Sequence, residues 1–144
     1  MDVAHSISEC ESRHSPHFLK GVLMKILIVE DDQQRIDWFE REFKDADVVV
    51  VKEAEDGIRE VEATKYDVIF LDHDLGGRAF VESHDPNTGF QVALAIVKSP
   101  NKNTPIVIHS WNPAGAGNMQ SILKHAIYAP FSTFTKDILA YLLR

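Results

Sequence analysis

A doubly wound α/β domain around a five-stranded parallel sheet is predicted by two observations. Short apolar runs recur between helical stretches, as in Lys25-Ile26-Leu27-Ile28-Val29, Val68-Ile69-Phe70-Leu71 and Ile106-Val107-Ile108. Each of these runs then stops at a polar cluster: Glu30-Asp31-Asp32, Asp72-His73-Asp74 and His109-Ser110. Near-continuous apolar runs suit strands buried on both faces, and open parallel sheets bind ligands beyond the carboxyl ends of their strands. The three polar clusters are therefore expected to meet at one sheet edge.

The elements follow in order. After the first strand, Ile36, Phe39 and Phe43 mark one face of a helix from about Gln33 to Phe43. Val48 to Val51 is the second strand, and Ala54, Ile58 and Val61 line the next helix. Beyond the third strand, Phe90, Ala93, Leu94 and Val97 fall at i, i+3, i+4, i+7, the spacing of a core-facing stripe. Met119, Ile122, Leu123 and Ala126 repeat that spacing after the fourth strand, in a helix expected to start near Met119. A short strand near Ile127 to Ala129 and a helix carrying Leu139, Leu142 and Leu143 complete the chain. Five βα units with right-handed crossovers give a flavodoxin-like sheet.

The bulk numbers fit one globular domain. The chain has 144 residues, 44% hydrophobic and 26% charged, enough for a substantial core. A net charge of −7 argues against an extended nucleic-acid surface, which needs a basic face, but not against a site for one phosphate or a single RNA end. Cys10 is the single cysteine, so no intrachain disulfide is expected. No apolar run has the length of a membrane span, and a cytoplasmic location is expected. Residues 1–23 are polar, with His5, His14 and His17, and form an expected flexible extension to a domain over 24–144.

The segments MKILIVEDD, YDVIFLD, TPIVIHS and APF together resemble the receiver domain of two-component response regulators over most of Met24 to Arg144. The resemblance implies that Glu30 and Asp31 are the acidic pair that holds Mg²⁺, that Asp72 is the phosphoacceptor and that Ser110 is the hydroxyl residue ending the fourth strand. Pro130-Phe131 matches the pair that follows the family's lysine, but Ala129 stands in that lysine's place. The aromatic switch position corresponds to Ala126, with Tyr128 close by. FLDHDLGG, DPNTGFQVA and IHSWNPAGAGNM are similar to a divergent branch, the cyclic-phosphate processing receiver domain. That resemblance implies action on cyclic phosphates, including RNA ends.

The residues themselves point the same way. Glu30, Asp31, Asp72 and Asp74 would crowd carboxylates at one point, which favours recruitment of a divalent cation, Mg²⁺ or another, while Asp32 is expected to cap the first helix. His73 and His109 are the candidate acid–base pair of a phosphoesterase or phosphotransferase acting with Asp72, since opening a cyclic phosphate needs both an activated water and a protonated leaving oxygen. Ser110, Asn112, Gly115 and Gly117 form a candidate phosphate-binding turn before a helix. Arg78 and His84 in the long Leu75–Thr88 loop are weaker candidates to close over a ligand. Two rival readings follow from the same residues: a single-domain response regulator phosphorylated on Asp72 by a histidine kinase, and a pseudo-receiver that binds a protein partner.

Overall fold

A computed structural model describes residues 18–19 and 22–133. Within them lies a five-stranded parallel sheet: β1 Lys25–Val29, β2 Asp47–Val51, β3 Val68–Leu71, β4 Ile106–Ile108 and β5 Ile127–Tyr128. The spatial order is β2-β1-β3-β4-β5, the doubly wound order expected when the chain reverses direction beside its first strand. A two-residue antiparallel pairing of Phe18–Leu19 with Val22–Leu23 precedes the sheet. His5, His14, His17 and the expected last helix at Leu139, Leu142 and Leu143 lie outside the described residues, as does most of the expected extension.

The helices are α1 Gln33–Glu42, α2 Ala54–Ala63, α3 Gly89–Ile96 and α4 Pro113–Ile122. None of those described is long and apolar enough to cross a membrane. Strand pleating sorts the core into two layers, because successive side chains point to opposite faces. On one face Ile26, Ile28, Val68, Phe70 and Val107 pack with Phe39 and Phe43 of the α1 segment. On the other, Leu27, Val29, Ile69, Leu71, Ile106 and Ile108 pack with Val61 of α2, Val92 and Ala93 of α3 and Met119 of α4.

Two helices differ from expectation. The stripe of α3 is turned: Gly89, Val92, Ala93 and Ile96 are buried, whereas Phe90 and Leu94 are half-buried and Val97 is exposed. Nearly every residue of this eight-residue helix is apolar, so spacing alone did not set its phase; close packing did. A Cβ on Gly89 would sit 1.8 Å from the Asp72 carbonyl oxygen, and Gly57 of α2 admits Val92 at a distance of 3.0 Å from where its own Cβ would be. The second difference is that α4 starts at Pro113 rather than near Met119. Asn112 is its N-cap, its side chain accepting from the Gly115 N–H, and Pro113 fills the first turn, a favoured place for proline because no helical N–H is lost there.

Candidate functional site

Strand register builds the site. Val29 pairs with Leu71, and Leu71 with Ile108, so the next residues, Glu30, Asp72 and His109, form one row across β1, β3 and β4. Each follows by two a side chain on the α1 face, namely Ile28, Phe70 and Val107, and pleating therefore turns all three toward that face. Their ligand atoms lie within 4.8 Å of one another. All three residues are buried, and His109 Nε2 is 2.7 Å from Glu30 Oε2. The imidazole packs edge-on against Phe39, with ring centroids 5.3 Å apart.

The electrostatics follow from that burial. Loss of water pushes the Asp72 carboxyl up to about 7, with Glu30 adding to the rise and His109 and Arg35 opposing it. Burial likewise raises Glu30 and depresses His109 to about 4. Two buried carboxyls with raised pKa values, packed around one imidazole, are a group that a cation would relieve, since opposite charge favours ionised carboxylates.

Arg35 leans in from the first turn of α1, a position its place in the sequence gave little reason to single out. Its Nη1 lies 3.7 Å from Glu30 Oε2 and 3.8 Å from Asp72 Oδ2. The guanidinium carbon is 4.3 Å from the Trp111 ring centroid and 5.4 Å from that of Phe131. An open cleft of about 490 Å³ reaches this point, bordered by Asp31, Arg35, Asp72, Asp74, Ser110 and Trp111 among others.

The expected histidine pair is not assembled. His73 follows Asp72 by one residue and so faces the other side of the sheet, where its ring lies against Gly115 of α4: a Cβ on that glycine would sit 2.4 Å from the imidazole. His73 Nδ1 is 2.8 Å from Asp74 Oδ1 and Nε2 is 2.9 Å from Ser83 Oγ. Its backbone N–H, by contrast, donates to Asp72 Oδ1. His73 thus braces the loop and the Asp72 carboxylate, while His109 joins the acids.

Asp74 is not brought into the acidic row either. It borders the cleft, but its carboxylate accepts from the Phe80 and Val81 N–H groups and from Asn112 Nδ2 as well as meeting His73. Those donors hold its pKa below the usual carboxylate range despite partial burial. Asp31 sits at the mouth, where it accepts from the Gly77 N–H. Asp32 caps α1 as expected, accepting from the Arg35 N–H.

The expected phosphate-binding turn is the start of α4, because Asn112 and Pro113 begin the helix before the glycines. The Gly115 N–H is taken by Asn112 Oδ1, and Gly117 lies in the second turn. Of the four residues named for that turn, Ser110 alone borders the cleft; its Oγ accepts from the Asn112 N–H. In the Leu75–Thr88 loop, Arg78 is bound to Asp85 at 2.9 and 3.1 Å. Ala129 extends the Glu30–Asp72–His109 row onto β5, since Ile108 pairs with Tyr128.

A parallel β2-β1-β3-β4-β5 sheet with an acid at the end of β1 and another at the end of β3 defines a receiver-type domain, and solved structures agree. The receiver domain of a sensor histidine kinase from Pseudomonas aeruginosa PAO1, with magnesium coordinated in its active-site cleft, is 23% identical with a TM-score of 0.57, covering 83% of this chain and 93% of that one. The response regulator TrrA from Thermotoga maritima, in complex with Mg²⁺ and a beryllium fluoride, is 15% identical with a TM-score of 0.62, covering 85% and 100%. A response-regulator N-terminal domain from Carboxydothermus hydrogenoformans is 25% identical with a TM-score of 0.61, covering 83% and 90%. No curated protein matches the chain. The model of the cyclic-phosphate processing receiver domain matches residues 25–125, and the chain belongs to that family.

Proposed function

We propose that the cleft binds a divalent cation and a phosphoryl group and hydrolyses a cyclic phosphate ester. The observation that carries this reading is the meeting of Glu30, Asp72 and His109 ligand atoms within 4.8 Å at the strand ends. The donor set fits a divalent ion: two carboxylates suit Mg²⁺ or Mn²⁺, and the imidazole shifts preference toward Mn²⁺ and other transition metals. Such an ion would neutralise non-bridging phosphate oxygens and hold the reacting phosphorus in place. The magnesium in the active-site cleft of the histidine-kinase receiver domain, and the Mg²⁺ complex of TrrA, support a cation at this sheet edge.

The protein's own groups do the remaining work. Ser110 borders the cleft with its oxygen accepting from the Asn112 N–H, which leaves its hydroxyl proton for a phosphoryl oxygen. The His73 N–H and the close approach of Gly89 fix Asp72 from behind. Hydrolysis adds water across one P–O ester bond: the attacking water loses a proton and the departing alkoxide gains one. With His73 turned away, Asp72 stays with Glu30 and His109 as a holder of the cation, and the cation rather than a histidine pair would activate the attacking water.

The test is hydrolysis of a 2′,3′-cyclic nucleotide with Mn²⁺ or Mg²⁺, followed by phosphorus NMR, with Asp72→Asn as control. Turnover by the wild type and not by the variant supports the reading; no turnover with either metal sinks it. A response-regulator role has one observation in its favour, the position of Asp72 at the end of β3. Ala129 at the end of the row weighs against it, because no β5 lysine stands there to meet a phosphoryl group. Intact mass after exposure to acetyl phosphate separates the two, since a lasting aspartyl phosphate belongs to the regulator alone.

A further inference from the structure

A site that holds a phosphoryl anion beside buried carboxylates needs a cation of its own, and Arg35 is placed to supply it. Two arginines border the cleft. Arg78 is at its rim, half exposed, with both terminal nitrogens on Asp85. Arg35 is deep, its side chain 17% exposed. Its contacts of 3.7 and 3.8 Å to the carboxylates exceed hydrogen-bond length, so it attracts those groups without being locked to them.

What locates Arg35 is the aromatic packing. With its guanidinium carbon over the Trp111 ring at 4.3 Å and over the Phe131 ring at 5.4 Å, the head group is positioned by aromatic packing and not by a hydrogen bond to either carboxylate. A planar fork of donors matches two oxygens of one phosphoryl group, a geometry that a lysine ammonium cannot reproduce. Trp111 is 56% exposed at the cleft mouth, so its ring borders both Arg35 and the space a ligand would fill.

We propose that Arg35, packed over the Trp111 and Phe131 rings, is the anion-recognising residue of this cleft. It binds two oxygens of a phosphoryl group in place of any cation from β5, and it takes no part in holding the metal. The assignment rests on the phosphate reading of the cleft. It also implies an order: the metal binds first, because the bare carboxylates repel an anion.

Calorimetric titration of the full chain with Mn²⁺, and then of the Mn²⁺-loaded protein with inorganic phosphate, tests it. Arg35→Gln should weaken phosphate binding by about 10–100-fold, the usual worth of a lost charge-assisted contact. Its Mn²⁺ affinity should be equal to or above that of the wild type, because a competing positive charge is gone. Arg35→Lys should recover only part of the loss, and Trp111→Ala, a surface change that spares the core, should weaken phosphate several-fold. Wild-type binding that Arg35→Gln leaves unchanged overturns this assignment alone, as does an equal loss of Mn²⁺ affinity in that variant. A wild type that takes up Mn²⁺ but no phosphate overturns the phosphate reading itself.

Discussion

His109 Nε2 lies 2.7 Å from Glu30 Oε2, although the two residues come from strands separated by β3. Between them in the same row is Asp72. Long side chains reach across the neighbouring strand end, and a buried histidine is thereby coupled to two buried carboxyls. The behaviour of the site follows from this coupling.

The first prediction concerns pH. Burial raises Asp72 from 3.8 to about 7, so the folded protein keeps a proton that the unfolded chain has lost in this interval. Stability from this group is full below 3.8 and falls as pH rises to about 7. His109, depressed from 6.5 to about 4, acts oppositely, costing stability as pH falls through that range. Above pH 7 His109 is neutral in both states and no longer offsets the Asp72 term, while neighbouring Glu30 adds to the cost of the Asp72 charge. Asp72→Asn should then raise metal-free stability by about 1–3 kcal/mol, a small fraction of the full burial cost of a charge. Denaturant unfolding measures it; an unchanged or lower midpoint would show that the carboxylate is not strained.

Metal should remove that strain. Mn²⁺ should stabilise the wild type above pH 7 and bind more tightly than Mg²⁺, because an imidazole in the donor set favours the transition metal. Thermal melts with each ion read this directly. Equal responses to Mn²⁺ and Mg²⁺ would place the ion on oxygen ligands alone.

The glycines of α4 should part company. Gly115→Ala forces a Cβ to 2.4 Å from the buried His73 ring, and the overpacking should cost about 1–3 kcal/mol, more than the helix propensity gained. Gly117→Ala meets nothing within 4 Å and should stabilise by about 0.5–1 kcal/mol. Chemical denaturation of both variants checks this. Destabilisation by Gly117→Ala would restore the idea of a special backbone there.

His73 and His109 should differ in kind. His73→Gln loses the bridge between Asp74 and Ser83 and should lower the melting temperature while leaving Mn²⁺ affinity within a few-fold of wild type. His109→Gln should weaken Mn²⁺ binding by at least about tenfold, as expected for loss of a ligand. Metal titrations with parallel melts separate the two; the reverse pattern would exchange their roles.

Much of this site was legible in the sequence because apolar runs end where polar residues begin. That rule singles out Glu30, Asp72 and His109, but it reads His109 as an acid–base group and not as a neighbour of the acids that would hold the cation. Their separation from His73 was harder to read, because strands buried on both faces show no alternation to fix which side chains share a face. Aligning the ends of β3 and β4 would have helped: Leu71 opposite Ile108 puts Asp72, not His73, beside His109. The Asn112-Pro113 pair carried a helix-start signal that the glycines after it obscured. Arg35 had no such signal, since an arginine in a first helical turn is ordinarily solvated and only the Trp111 and Phe131 packing turns it inward. Asp74 is expected at the metal because strand-end acids converge, yet the backbone of its own loop uses its carboxylate.

The most direct test is pulsed electron paramagnetic resonance of bound Mn²⁺, which detects a nitrogen ligand through its modulation of the electron-spin echo. The wild type should show nitrogen modulation from one imidazole, His73→Gln should keep it, and His109→Gln should lose it. Identical echoes from wild type and His109→Gln, or a wild type that binds no Mn²⁺, would contradict a cation held by Glu30, Asp72 and His109.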